Sequence, residues 1–192
     1  MKFSLAQFNL RKTVLRCAVV IGLIALGIAS SLLFRAHRGL SAAETSVRHQ
    51  DWPLARQQLK QYLWLHPNDS QARILMAEAL VRDDDLTAEE GVRPAINHLQ
   101  QVSESSPQFA EARMREGRLR FLVLLQPGAA EKLFRQAVAA DPESVDANLL
   151  LWKLLDMTGR QSMSGPSFWR LYDLTPERSR GMRLRDWYLS EF

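Results

Sequence analysis

The side chains that could carry out chemistry are few, and they are scattered along this sequence. The four histidines, His37, His49, His66 and His98, do not have the spacing of a metal site, and no cysteine lies close to any of them. The sequence has no HExxH motif, no glycine-rich phosphate loop and no GxSxG motif. We therefore predict a protein that is not an enzyme, with no catalytic residue, no cofactor and no bound metal.

The densest group of possible metal ligands is the run Asp83, Asp84 and Asp85. Consecutive acids differ from the alternating ligands of a calcium loop, which also has a glycine at its turn and a distal glutamate. The alternative is a solvated loop after a helix, since acids at a helix C-terminus oppose its dipole and favour fraying. Thr87 and Glu90 would then form a capping box that starts the next helix. We favour the loop over the metal site.

A second group of charged side chains contains four arginines between residues 113 and 120. They are spaced around one predicted helix, so they cannot all be buried. Some can pair with Glu111 and Glu116 at helical spacing, which is typical of an ordinary charged face. The net charge of +4 comes from 25 basic and 21 acidic residues spread along the chain. This distribution argues against nucleic acid as the main partner.

The longest apolar segment spans residues 17–34 and contains no charged residue. As a helix it would be about 27 Å long, close to the hydrocarbon thickness of a bilayer. A cleaved secretory signal is the alternative, because Gly27, Ala29 and Ser30 form a cluster of small residues. The apolar run continues to Phe34, however, which is longer than a typical signal core. We predict an uncleaved single transmembrane helix.

The flanks of this segment suggest its orientation. Four Lys or Arg residues precede it, and three follow it within about fifteen residues, so we expect the N-terminus in the cytoplasm and the rest of the chain on the far side. Ala18, Gly22, Ala25 and Ala29 lie on one stripe, where a second helix could approach in weak self-association. The alternative is that the stripe has no partner, because small residues are common in membrane helices.

The rest of the chain repeats one helical pattern. In residues 51–69, Ala55, Leu59 and Tyr62 lie twelve, eight and five positions before Pro67. A small residue lets two helices approach closely, a large one fills the groove between them, and the proline would open the next helix. The pattern recurs before three further prolines, and the successive spacings from Pro67 are 40, 35 and 34 residues. The sets are Ala95, Leu99 and Val102 before Pro107; Ala130, Phe134 and Ala137 before Pro142; and, more weakly, Phe168 and Leu171 before Pro176.

This pattern resembles the tetratricopeptide repeat (TPR) family, whose unit is about 34 residues long. The small residue that the family prefers in its first helix is matched by Ala77 and Gly117, whereas the third full repeat has Trp152. The resemblance covers roughly residues 41–180. It implies a right-handed helical solenoid of about four helix-turn-helix repeats that binds other proteins, and it implies no chemistry.

We accordingly predict an all-α chain with a transmembrane helix, a TPR-like solenoid and a C-terminal capping helix. Gly39 should stop the membrane helix, and Ser41 with Glu44 should form a capping box that starts the first helix of the array. The predicted segments are an N-terminal cytoplasmic segment (1–16), the transmembrane helix (17–34), a linker (35–40), the repeats (41–180) and the capping helix (181–192).

The resemblance implies a membrane-anchored scaffold that holds a protein or peptide in a concave groove lined by the first helices of the repeats. Leu75 and Leu150 stand where the family's carboxylate clamp has asparagines, which argues against that binding mode. Small anchored TPR proteins also occur as accessory subunits of bacterial envelope machines for cytochrome maturation or secretion, so this function remains an alternative. Either function implies the bacterial inner membrane, with the repeats in the periplasm. The groove residues implied by position are Gln71, Ile74, Glu78, Arg82, Glu111, Met114, Arg118, Phe121, Leu149 and Lys153.

Overall fold

The computed structural model describes residues 39–174, and within this range every regular element is an α-helix. All-α secondary structure is therefore confirmed for this part of the chain. The helices are α1 (helical over 39–48), α2 (Trp52–Leu65), α3 (Ser70–Arg82), α4 (Ala88–Gln100), α5 (Phe109–Leu122), α6 (Pro127–Ala140), α7 (Val145–Met157) and α8 (Gln161–Leu174).

From α2 onward, each helix packs on the next one along the chain, and α5 also packs on α7. The buried apolar residues form four clusters that follow one another along the chain instead of one central core. The first cluster joins α1, α2 and α3, and the last joins α7 and α8. This is the arrangement of a repeat solenoid, in which each unit is stabilised by its neighbours.

The close-packing positions predicted from the proline spacing are confirmed. Ala55, Ala95 and Ala130 are fully buried. The large residues four positions later, among them Leu59 and Phe134, are buried as well. In the fourth unit the sequence pattern did not include a small residue, but the structure has one there, because Ser164 is buried in α8 together with Ser167, Phe168 and Leu171.

Gly117 shows how closely two helices of one repeat approach each other. A Cβ atom on this residue of α5 would lie 2.6 Å from Cε1 and 2.8 Å from Cδ1 of Phe134 in α6. Phe134 is itself fully buried. Only a hydrogen atom fits at position 117 without displacing the ring, which explains the glycine at this point of the repeat.

The prolines that set the spacing lie in turns and do not open helices. Pro67 and Pro142 each precede the next helix by three residues, and Pro107 precedes it by two. The prediction that these prolines occupy the first helical position is therefore wrong. Asp69 and Ser144 start α3 and α7 instead, because their side chains accept hydrogen bonds from backbone N–H groups in the first turn.

The start of α4 follows the prediction. Thr87 and Glu90 form a reciprocal capping box, in which Glu90 N donates to Thr87 Oγ1 at 3.3 Å and Thr87 N donates to Glu90 Oε2 at 3.0 Å. The helix also contains Pro94 in its interior. The proline leaves the Glu90 carbonyl without its usual helical donor, and this is tolerated because Glu90 is exposed to water.

We expected α1 to start at Ser41, but the helix already includes Gly39. A break before Gly39 would lie outside the described residues. Gly39 and Leu40 are already helical, so α1 does not begin with a capping box at Ser41. Leu40 packs against the first buried cluster, which stabilises the helix at this point. No helix among the described residues is long and apolar enough to cross a membrane. The predicted span 17–34 and the segments 1–16 and 181–192 lie outside the described residues, so these assignments stay predictions.

Candidate functional site

A groove of about 470 Å³ lies between α3 and α5. Its floor contains Ala77 and Leu99, which are almost completely buried, and Leu119, which is half-buried. The remaining lining residues are either charged or apolar and exposed, and they are Glu78, Val81, Arg82, Arg115, Arg118, Leu122 and Val123.

Apolar side chains are left exposed along this groove. Leu122 is 56% exposed and Val123 is 43% exposed, and both lie at the C-terminal end of α5. Val81 on α3 is also exposed. Single exposed apolar residues are common, but several that line one concave groove are typical of a binding site for an apolar group.

The charged side of the groove is organised around Glu78. Its Oε1 lies 3.2 Å from Nε of Arg82, and its Oε2 lies 3.0 Å from Nη1 of Arg115. Arg115 also contacts Glu111, with 2.7 Å between Nη2 and Oε1. Because Arg115 belongs to α5 and Glu78 to α3, this pair connects two repeats across the groove.

Two other arginines of α5 are paired with Glu116, whose carboxylate is almost fully buried. Arg113 Nη1 lies 3.0 Å from Oε2, and Arg120 Nη2 lies 2.9 Å from Oε1. Gln100 of α4 donates a further hydrogen bond to Oε1 at 2.9 Å. The prediction that some of these arginines pair with Glu111 and Glu116 is therefore confirmed. Arg118 is exposed, and in the described part of the chain it forms no ion pair.

Three of the ten predicted groove residues, Glu78, Arg82 and Arg118, line the α3–α5 groove. Ile74 does not, because its side chain is 1% exposed and packs in the second buried cluster. Its role as a partner contact stays a prediction that the burial of its side chain does not favour. Phe121 is half-buried against the third cluster.

The other predicted residues lie outside this groove. Leu149 packs against the cluster of α7 and α8, and Lys153 is exposed on α7. Gln71, Glu111 and Met114 are half-buried on the first helices and are not among the residues that line the groove. Their role as partner contacts stays a prediction.

On α5, the sequence reasoning named Arg118 and missed the other residues that line the groove. The residues on the lining face, Arg115, Arg118, Leu119 and Leu122, follow one another at i, i+3, i+4 and i+7. The other predicted residues of this helix, Met114 and Phe121 among them, lie on neighbouring stripes. A signal was present, since an apolar run from Phe121 to Leu125 continues past the end of the helix, where a soluble helix would usually become polar.

The three side chains of the aspartate run do not share one environment. Asp83 is buried and forms an ion pair with Arg56 of α2, and its Oδ1 accepts a hydrogen bond from Asp85 N at 3.1 Å. The interpretation as a solvated loop is correct for Asp84 and Asp85, which are exposed, and wrong for Asp83. Within residues 39–174, no three side chains of His, Cys, Asp or Glu are grouped in a way that could hold a metal ion.

Comparison with known proteins gives similarity at the level of the fold. No protein-family model matches the sequence, and no curated protein is significantly similar to it. A crystal structure of MamA protein is 18% identical, with a TM-score of 0.63 over 81% of this chain and 87% of that chain. A MamA RS-1 double mutant is 22% identical, with a TM-score of 0.61 over 77% of this chain and 79% of that one.

A thermophilic TPR protein of Thermus thermophilus is 20% identical, with a TM-score of 0.59 over 77% of this chain and 76% of that chain. The alignment extends over most of both chains. The TPR resemblance of the sequence is thus confirmed by the arrangement of the helices. The chain has the tetratricopeptide repeat fold.

Proposed function

We propose that this chain is a protein-interaction scaffold that holds a peptide segment of a partner protein in the α3–α5 groove. One observation carries the proposal: exposed apolar side chains, Leu122 and Val123, line the same concave groove as Arg118, which has no ion pair within residues 39–174. Repeat solenoids typically use such concave surfaces for binding other proteins.

The groove suits an extended or helical peptide with one apolar anchor. An apolar side chain of the partner would cover Leu122 and Val123, which removes apolar surface from water. Arg118 could then donate hydrogen bonds to a carbonyl or carboxylate group of the same peptide, which would fix its position along the groove. Glu78 is already held by Arg82 and Arg115, so it helps to shape the groove and is a weaker candidate for direct contact.

The proposal is tested by photo-crosslinking in the native cell. A benzoyl-phenylalanine residue at position 122 should crosslink to a defined protein, whereas the same residue at the exposed position 139 on α6 should not. Arg118→Glu in the protein that carries the probe should reduce the yield of the crosslink. Equal crosslinking from positions 122 and 139, or no effect of Arg118→Glu, would argue against partner binding in this groove.

We further propose that the scaffold is anchored in the bacterial inner membrane by residues 17–34, with its N-terminus in the cytoplasm and its repeats in the periplasm. This part rests on the sequence alone. An alternative function is that of an accessory subunit of an envelope machine for cytochrome maturation or secretion. Co-purification in mild detergent distinguishes the two, because a subunit should be recovered with its partner at constant stoichiometry, whereas a scaffold that binds transiently should not.

A further inference from the structure

A second groove, of about 710 Å³, lies between α2 and α4 and reaches down to α3. None of the described residues that line it also lines the α3–α5 groove. Four of its side chains, Arg56, Lys60, Arg73 and His98, contain basic groups, and none of its described lining residues is acidic. The ionisable side chains in the described lining of this groove are therefore all basic, whereas in the first groove Glu78 lies among three arginines.

Arg73 is the unusual residue of this second groove. It is only 9% exposed, and among the described residues its Nε, like that of Arg113, has no hydrogen-bond partner. Its Nη2 donates to the carbonyl oxygen of Pro67, and within residues 39–174 it forms no ion pair with a carboxylate. Burying a guanidinium group without a counterion costs free energy of folding, because the group loses its hydration and forms no ion pair in return.

Arg113 provides a matched comparison within the same chain. It is also 9% exposed, but its guanidinium lies 3.0 Å from the buried carboxylate of Glu116. Burial lowers the pKa of Arg73, which is what an unpaired buried cation should show. Within residues 39–174, no carboxylate pairs with Arg73 in the way that Glu116 pairs with Arg113.

The neighbouring side chains do not supply the missing negative charge. Arg56 is already neutralised by Asp83, and Lys60 is exposed with no ion pair among the described residues. Burial, and then the charge of Arg73, lower the pKa of His98, so this imidazole is neutral at pH 7. The net charge of the groove therefore comes from Arg73 and Lys60.

Beside these cations lies Trp64, which is 82% exposed and also lines the groove. A polyanion such as nucleic acid, or the surface of an anionic membrane, would require several exposed cations. This groove instead presents one largely buried guanidinium between apolar and aromatic side chains. That combination fits a single carboxylate next to an apolar side chain, because the planar guanidinium matches a carboxylate in geometry.

We infer that the α2–α4 groove is a second protein-binding site, which takes an acidic peptide segment whose carboxylate pairs with Arg73 and whose neighbouring apolar side chain packs on Trp64. This site is independent of the proposed α3–α5 groove and lies on the helices α2 and α4, which are the second helices of their repeats. A scaffold with both sites could hold two partner segments at once.

Two labelled pools of capped octapeptides test this inference on the full-length protein in mild detergent. Both pools have randomised flanking positions, and the central residue is aspartate in one and asparagine in the other. The aspartate pool should bind about tenfold more tightly or better, since hydrogen bonds between charged groups are the strong ones. Arg73→Met should remove this preference, and the control Lys132→Met, at an exposed position of α6 that lines neither groove, should keep it.

Thermal unfolding of the same variants gives a readout that does not depend on a ligand. Arg73→Met removes the hydrogen bond to the Pro67 carbonyl but no ion pair within residues 39–174. It should therefore lower the melting temperature less than Arg113→Met, which leaves Glu116 buried and incompletely paired. An equal or larger loss for Arg73→Met would overturn the inference, because it would show that Arg73 is already compensated.

Three binding results would also overturn the inference. These are equal binding of the two pools by the unmodified protein, a preference for aspartate that survives Arg73→Met, and a preference that Arg118→Met abolishes. The last result would place the carboxylate in the α3–α5 groove. Arg73-dependent binding to phosphatidylglycerol vesicles, without a preference between the peptide pools, would replace the peptide with a membrane surface.

Discussion

Replacing Gly117 with alanine should destabilise the repeat stack, although alanine is the better helix former. The new Cβ would lie 2.6 Å from Cε1 and 2.8 Å from Cδ1 of Phe134, and 3.3 Å from Cβ of Leu133. Carbon atoms attract each other best at about 3.5–4.0 Å. Since Phe134 is fully buried, its ring cannot swing into solvent, and α5 and α6 would have to separate.

The expected size of the effect follows from two opposing terms. Overpacking of a buried site costs about 1–3 kcal/mol, whereas glycine to alanine inside a helix gains about 0.8–1 kcal/mol. Gly128 is a helical control, because a Cβ there would have no neighbour within 4 Å. Gly117→Ala should therefore unfold at a lower urea concentration than Gly128→Ala, with a difference of about 1–3 kcal/mol between the two variants.

A double-mutant cycle identifies the ring as the cause. In the background Phe134→Leu, the substitution Gly117→Ala should cost much less, because the leucine side chain leaves room for the methyl group. The reasoning would be refuted if Gly117→Ala were as stable as Gly128→Ala. It would also be refuted if the penalty were the same with and without Phe134, since the close approach of the two helices would then not be the reason for the glycine.

Three further predictions concern stability, each measured by urea unfolding of the full-length chain. Ala130→Leu should cost about 1–3 kcal/mol because Ala130 is fully buried in the third cluster, whereas Ala139→Leu on the exposed side of α6 should be tolerated; equal losses would show that the repeat register is wrong. Burial and the charge of Arg73 lower the pKa of His98, so the unfolded chain takes up the proton first and the free energy of unfolding should fall as the pH drops below 6.5. His98→Gln should remove this loss of stability, and an unchanged loss would exclude His98 as its source. Thr87→Ala should cost about 1 kcal/mol because it removes the side chain of the capping box, and an unchanged urea midpoint would contradict that role.

Much of the fold could be predicted because the repeat is encoded locally. Ala55, Leu59 and their counterparts at Ala130 and Phe134 lie at fixed distances from a proline, and each set defines one face of one helix. Such a face has to be buried against a neighbour, so helix, register and core followed together. The position of the proline itself was misjudged. A proline in the turn lies only two or three residues before the first helical residue, and the spacing of the repeat does not resolve so small a shift.

The candidate site was predicted less well. Of the ten predicted residues, Glu78, Arg82 and Arg118 line the α3–α5 groove. Ile74 and Phe121 pack in buried clusters instead, and neighbouring stripes on a helix are only one residue apart in sequence. Periodicity shows that a helix has an apolar face, but several faces of α5 carry apolar residues, and the sequence does not rank them.

The amino-acid sequence by itself determined the type of secondary structure, the approximate repeat length and the residues at which two helices touch. These features depend on residues within one repeat, where local spacing decides which side chains meet. Only the tertiary structure decided that Glu78 pairs with Arg115, 37 residues further along, and that Asp83 is balanced by Arg56, whereas Arg73 has no such partner between residues 39 and 174. Those contacts connect different helices, so they depend on how successive helices are rotated and tilted against one another, which the period of a single helix does not specify.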